Sequence, residues 1–326
     1  MTLAVCERFI PQQSLIVIIN PKSGDGDDNF RADVEKALKS SGATYEIRET
    51  KADLSGEELA KQAIEEGATD IVACGGDGTV MEVVNGIAKM QAESGEGGCT
   101  LSIVPGGTAN LVATALEIPI DIEEAVACAA GEKCRERTID LGRCEQYYFV
   151  LGVGVGLTER VISKTSAKEK ETIGKLAYVK SMLEDLGARP HHINFKLDGR
   201  SSKRARGVAI VIANSGTIGG KLDFAPEAKM DDGLLDLCIL HSFGFRDLVR
   251  IVWHSLTGKL DKDRSVSFYQ AKRIEISTDP PLRVQVDGEL EEDLSLPLTA
   301  EVVPNALRVR VPKQTKKSEK EATKEE

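Results

Sequence analysis

Residues Thr69–Met90 read TDIVACGGDGTVMEVVNGIAKM. An apolar run comes first, then three glycines around one acid, then an amphipathic run. Asp70–Ala73 has the pattern of a buried strand and Thr79–Met90 that of a helix. The turn between them has the makings of an anion cradle. Gly75, Gly76 and Gly78 permit positive φ, so several backbone N–H groups can converge, and the N-terminus of the following helix favours negative charge. Asp77 stands in the middle of this turn and would repel phosphate unless a cation lies between them, which magnesium carried on a nucleotide supplies. The alternative is that Asp77 caps the helix, although a cap by itself needs no flanking glycines.

The same alternation extends to both sides. Strands are expected at Leu15–Ile19, Ala43–Thr50 and Leu101–Val104, and helices at Phe30–Lys39, Leu54–Glu66, Gly107–Leu116 and Ile122–Gly131. Strand–helix alternation implies a mostly parallel sheet covered on both faces. Beyond Arg137 short β-rich runs take over: Tyr147–Gly152, Ile193–Leu197, Arg206–Ala213, Leu234–Leu240, Arg273–Ser277, Leu282–Val286 and Ala306–Pro312. Their close spacing suggests an antiparallel sandwich. Helical stripes at Thr172–Leu186 and Phe245–Leu256 interrupt it and read as core packing. Residues 313–326, charged throughout and apolar only at Ala322, are expected to be disordered.

A net charge of −10 over 326 residues argues against a nucleic-acid partner and requires any membrane contact to be local. The seven cysteines include no CxxC pair, and the four histidines lie far from ligand spacing, which fits free thiols in a reducing compartment. The first apolar run, LIVII, is too short to span a bilayer. The expected location is cytoplasmic, with transient visits to the membrane surface.

Four further turns carry chemistry. In IINPKSGDGD, an apolar strand ends in Asn20, Pro21, Lys22, Ser23 and Gly24, offering a close backbone approach, a hydroxyl and a point charge for phosphate. It lacks the GxxxxGK[ST] pattern of a P-loop. IVPGGTAN repeats the strand–glycine–helix logic, with Thr108 and Asn110 as donors to phosphate or ribose, or with Thr108 as a plain helix cap. FAPEAKMDDGLLDL groups Asp231, Asp232 and Asp236 around Gly233, as suits a hard cation or a simple hairpin turn. RVQVDGEL closes an alternating strand on Asp287, Gly288 and Glu289. Glu82 and Asn85, one and two helical turns beyond GGDGT, are expected to share a polar face.

In this order the stretches NPxSG, GGDGT with ExxNG, PxGTxN, PxAxxDDGxxD and DGE resemble the catalytic domain of the diacylglycerol and sphingosine kinase superfamily, especially its bacterial lipid kinases. The resemblance covers nearly all of Ser14–Pro312. It implies an NAD kinase/diacylglycerol kinase-like architecture: an α/β nucleotide-binding domain with a parallel sheet (residues 14–138 plus 304–312) and a β-sandwich lipid-substrate domain (139–303), with the cleft between them. It also implies ATP at Asn20, Pro21, Lys22, Ser23, Gly24, Thr50, Gly75, Gly76, Asp77, Gly78, Thr79, Glu82 and Thr108. Magnesium would be held by the Asp232 carboxylate with the carbonyls of Lys229 and Leu234. The proton acceptor would be Glu289 with Asp287 beside it, or, as in the sphingosine kinase branch, Asp77. Many bacterial relatives carry an acid where this chain has Leu111.

The reaction implied is transfer of the γ-phosphoryl group of ATP to the hydroxyl of a lipid alcohol, diacylglycerol first among them, at the membrane surface. Gly152–Leu183, with Lys164, Lys168, Lys170 and Lys175, would suit a membrane-facing lid or a solvated charged face. Family members are often dimers. An NAD kinase shares GGDGT but gives no reason for DGE, and a silent nucleotide-binding regulator would not need the acids Asp77, Asp232, Asp287 and Glu289.

Overall fold

The computed structural model describes residues 14–24, 29–94, 98–156, 189–216, 225–242, 250 and 263–313. The stripe expected at Thr172–Leu186, all of Phe245–Leu256 but Arg250, the four lysines of the expected lid and the charged tail after Lys313 lie outside the described residues.

The chain begins with β1 (Leu15–Ile19), α1 (Phe30–Ser41), β2 (Tyr45–Glu49), α2 (Gly56–Glu65), β3 (Asp70–Gly75), α3 (Asp77–Ser94), β4 (Thr100–Pro105), α4 (Leu111–Ala115) and α5 (Ile122–Ala129). Every residue of β1, β3 and β4 is buried, as parallel strands covered on both faces require. Phe30, Val34, Ala37 and Leu38 form the buried stripe of α1, which stops at Gly42, at φ 68°. In α2, Ser55 and Glu58 form a reciprocal capping box.

The β-rich half comprises β5 (Cys134–Cys144), β6 (Tyr147–Phe149), β7 (Gly152–Val155), β8 (His191–Leu197), β9 (Lys203–Gly207), β10 (Ala209–Ala213), β11 (Leu235–Leu240), β12 (Val266–Ala271), β13 (Arg273–Asp279), β14 (Val284–Val286), β15 (Glu289–Leu290) and β16 (Leu298–Pro312). One ten-stranded sheet runs β2-β1-β3-β4-β16-β13-β8-β9, with β5 on β16 and β6 on β5. Its first four strands are parallel, as is the short β4–β16 pairing, whereas β5 and β13 run antiparallel to β16. The second sheet, β12-β11-β10-β7-β14-β15, is antiparallel throughout. Phe149, Val153, Phe195, Ile210, Leu237, Ile274 and Leu298 belong to the core between the two sheets. The architecture is thus an α/β layer and a β-sandwich, joined because β5 and β16 run from one into the other.

Several elements differ from their sequence patterns for identifiable reasons. Arg206–Ala213 is not one strand: the chain changes sheets at Val208, between β9 and β10. The last strand begins at Leu298, not Ala306, because Pro304 and Asn305 break the apolar alternation at a bulge where the β5–β16 register shifts between Val303 and Leu307. There Asn305, at φ 53°, donates its backbone N–H to the buried Asp140 carboxylate at 2.7 Å. β5 was not expected, since its exposed first half, Arg135–Arg137, is charged. Helix α4 begins at Leu111 and not at Gly107. Asn110, left-handed at φ 49°, accepts from Gly107 N at 2.9 Å and donates to Gly107 O at 2.7 Å, holding the intervening residues in a turn.

Candidate active site

Ile19 is in register with Glu49 and Cys74, and Gly75 with Pro105, so β2, β1, β3 and β4 end together. Thr50, Asn20–Gly24, Gly75–Thr79 and Gly106–Asn110 therefore share the carboxyl edge of the parallel strands, where open α/β sheets bind ligands. Backbone bonds join them: Thr50 N to Ile19 O at 2.9 Å, Gly24 N to Gly106 O at 2.7 Å and Gly106 N to Gly75 O at 2.8 Å. Asn20 turns back on its own loop, accepting from Lys22 N at 3.0 Å, and its amide reaches Thr79 Oγ1 at 3.2 Å. Pro21, Lys22 and Thr108 are exposed, and Ser23 and Gly24 partly so.

The glycines do something other than their sequence suggests. Gly75, Gly76 and Gly78 all lie outside the left-handed region, unlike Gly24, whose φ is 96°. What they lack is a Cβ. One on Gly75 would stand 2.7 Å from the Thr79 side chain, and one on Gly107 would stand 2.5 Å from the Cα of Gly76. The two glycine turns are in contact through their main chains. A Cβ on Gly78 would stand 2.7 Å from Glu289 Oε1, so the carboxylate of the distant DGE turn lies on the first turn of α3.

The acids fall into distinct roles. Asp77 opens α3, yet its Oδ1 accepts from Val112 N of α4 at 3.1 Å, so it caps a helix other than its own. The N-cap position of α4 is Asn110 rather than Thr108. Asp287 is buried, with both oxygens engaged: Oδ2 by Val150 N, and Oδ1 by Leu151 N and Gly152 N, each at 2.8 Å. Burial pushes its pKa up to about 7 against the pull of those three N–H bonds. This arrangement suits holding a turn better than passing a proton. Glu289 is exposed overall, and its carboxylate lies against Gly78. Partial desolvation there, followed by the like charges of Glu291, Asp77 and Glu82, raises its pKa.

Glu82 and Asn85 turn to different partners. Glu82 Oε2 accepts from Gly56 N, the first residue of α2, at 2.7 Å. Asn85, buried, donates to Tyr148 O at 3.2 Å and accepts from Tyr148 N at 2.9 Å. The Asp231-Asp232-Gly233 group also divides. Asp231 pairs with Arg137 at 2.9 Å, Asp232 Oδ1 accepts from Leu234 N at 3.0 Å, and Asp236 is buried in β11, where burial pushes its pKa up to about 6. The Asp232 charge adds to the rise at Asp236, and the Asp77 charge adds to the rises at Asp287 and Glu289. Lys229 and Asp232 are exposed and Leu234 is half-buried. An exposed carboxylate beside a glycine turn is the hard-oxygen chemistry that magnesium takes.

Asp140 and Asn214 were missed from sequence. Asp140, at 3% exposure, accepts from Gly233 N and Asn305 N, both at 2.7 Å, fixing the Asp232 turn and the β16 bulge together. Asn214, fully buried, donates to Asp140 O at 3.0 Å and Val150 O at 2.9 Å. The signal available for Asp140 was an acid between Ile139 and Leu141, since Asp is depleted in strands.

Two family models match the chain: the diacylglycerol kinase catalytic domain over residues 14–144, and the YegS C-terminal NAD kinase beta sandwich-like domain over residues 152–311. A protein of Pectobacterium atrosepticum named as a probable YegS-like lipid kinase is 30% identical over 92% of this chain and 96% of its own. A diacylglycerol kinase of Bacillus subtilis is 29% identical over 84% of this chain and 88% of its own. A Bacillus anthracis crystal structure, of a candidate diacylglycerol kinase, superposes with a TM-score of 0.74 at 25% identity, over 91% of this chain and 96% of that one.

Proposed function

Because the chain belongs to the diacylglycerol kinase and YegS-like lipid kinase family, and is therefore a phosphotransferase with an alcohol acceptor, we propose that it transfers the γ-phosphoryl group of ATP to the hydroxyl of diacylglycerol, giving phosphatidic acid. The observation that carries this reading is the seat of Glu289 on Gly78, an acid of the sandwich resting on the glycine turn of the α/β layer.

ATP lies along the edge formed by Asn20–Gly24, Thr50, Gly75–Thr79 and Thr108. Phosphoryl transfer asks the protein mainly to position groups and offset charge. Glu289 accepts the proton of the lipid hydroxyl as that oxygen attacks the γ-phosphorus, and the bridging oxygen leaves with ADP. We assign the proton to Glu289 and not to Asp77 because one Asp77 oxygen is committed to Val112 N. Asp287 holds the turn that presents Glu289, and Asp77 faces the phosphate end of ATP. Lys229, Asp232 and Leu234 would hold magnesium, whose chemistry here is to neutralise carboxylate charge and stiffen the turn.

Among the described residues no helix is long and apolar enough to cross a membrane. We infer that the enzyme meets its lipid by transient contact with the cytoplasmic membrane surface.

The test is transfer of labelled phosphate from ATP to dioleoylglycerol in mixed micelles, beside sphingosine, a total lipid extract and NAD. Labelled phosphatidic acid as the fastest product supports the reading. Labelled NADP, or another lipid phosphate formed faster, overturns the choice of acceptor.

A further inference from the structure

Gly78 and Asn85 are seven residues apart on α3, two helical turns, and so share one face about 10 Å apart along the axis. That face meets the β-rich half at both positions. At Gly78 it carries the Glu289 carboxyl. At Asn85 it grips β6 in the manner of a strand, through the reciprocal pair of bonds to Tyr148 N and O, and Asn85 Nδ2 also reaches Met81 O at 2.9 Å. From Tyr148 the chain runs directly into Val150, Leu151 and Gly152, whose three N–H groups are bound by Asp287. Asp287 and Gly288 then form the two-residue turn that ends at Glu289, back over Gly78. The contacts close into a ring: Asn85, Tyr148, the Val150–Gly152 segment, Asp287, Glu289, Gly78 and the helix back to Asn85.

We propose that Asn85 is a positioning residue for phosphoryl transfer, closing this ring so that Glu289 stands at a fixed place over the nucleotide turn. It touches neither ATP nor lipid. The ATP turns are joined to one another without it, through Asn20–Thr79, Gly24–Gly106 and Gly106–Gly75. Loss of Asn85 therefore leaves nucleotide binding in place and moves the base. Primary amides suit this task because one side chain can both donate to and accept from the same residue's backbone. The inference rests on Glu289 being the base.

The experiment compares Asn85→Ala and Asn85→Asp with wild type, measuring kcat and KM for ATP with dioleoylglycerol in mixed micelles, and the Kd of a non-hydrolysable ATP analogue. Asn85→Asp keeps the acceptor for Tyr148 N, which provides a folded variant should the alanine fail to fold. The expected result is a fall in kcat of roughly 10- to 100-fold, as for displacement of a catalytic group by about 1 Å, with KM and Kd within about twofold. Repeating each substitution in the Glu289→Gln background should leave the residual rate nearly unchanged, because a displaced base that is already absent costs nothing further. An unchanged kcat, or an equal loss in ATP affinity, overturns the proposal. If Glu289→Gln is slow and the two losses multiply, the base assignment stands and the positioning role falls. If Glu289→Gln keeps wild-type kcat, the base assignment itself falls.

Discussion

Two of the Asp-Gly dipeptides at the candidate active site, Asp77-Gly78 and Asp287-Gly288, do opposite things. Asp77-Gly78 opens a helix; Asp287-Gly288 is the two-residue turn of the β14–β15 hairpin, with both φ values positive, 48° and 92°. Asp77 is half-exposed and caps a neighbouring helix, while Asp287 is buried and accepts three N–H bonds from a segment more than a hundred residues away. Gly78 is there for its missing Cβ; Gly288 is there for its sign of φ. The lesson is that an acid beside a glycine has no fixed meaning. Its role depends on which orphan N–H groups the surrounding fold places within reach.

The comparison is broken most directly at Glu289, which the second copy presents to the first. Glu289→Gln is expected to lower kcat by roughly 10²- to 10⁴-fold, the usual weight of a positioned general base. Asp77→Asn should cost less, because an amide oxygen still accepts from Val112 N. Steady-state transfer to lipid from labelled ATP reads both, and an equal or larger loss at Asp77 would reverse the assignment.

Gly78→Ala comes next. Alanine favours the helix by about 1 kcal/mol, and the Cβ meets only the end of a flexible side chain. Thermal unfolding should therefore hold or rise while kcat falls roughly 10- to 100-fold as Glu289 is pushed aside. Gly107→Ala, whose Cβ meets the Gly76 backbone, should instead lose about 1–3 kcal/mol of stability. If the two substitutions gave the same phenotype, the distinction between the turns would be lost.

Asp287→Asn offers one acceptor oxygen and an NH₂ group to three N–H donors. It should lower unfolding free energy by about 1–3 kcal/mol in denaturant titration, whereas Gly288→Ala, straining a left-handed position, should cost about 1 kcal/mol.

The smallest effect is in pH. The pKa of Glu289 is raised, so the acidic limb of kcat/KM should fall away above the ordinary glutamate value of 4.5. Glu291→Gln, removing one of the like charges acting on Glu289, should move that limb to lower pH. The stability that Glu289 contributes runs the opposite way: it is fully present below the unfolded pKa and is lost as pH rises through the raised value.

Local physics made the α/β half legible. LIVII, DIVACG and TLSIVP are buried from end to end, and α1 shows its stripe plainly, so strand ends and the turns after them could be located from pattern alone. The β-rich half resisted because its strands are short and half-charged, and because sheet membership depends on partners far along the chain. Nothing in KRARGVAIVIA marks the residue at which the chain passes from one sheet to the other. Asp140 and Asn214 escaped for a related reason: a lone acid or amide after an apolar run carries no local sign of the N–H and C=O groups it will satisfy.

Composition, periodicity and the spacing of the glycine turns were enough to place an α/β layer before a β-rich half and to put glycine turns at the strand ends. Only the tertiary structure decided what each of those residues does. Gly75, Gly76 and Gly78 are close contacts and not left-handed hinges, Glu82 caps α2, and Asp287 holds a turn while the Glu289 carboxylate reaches Gly78. The physical reason is range. Hydrophobic burial repeats every two or three to four residues and is written in the adjacent sequence, whereas a carboxylate's role is fixed by hydrogen-bond partners that only folding brings within 3 Å of it.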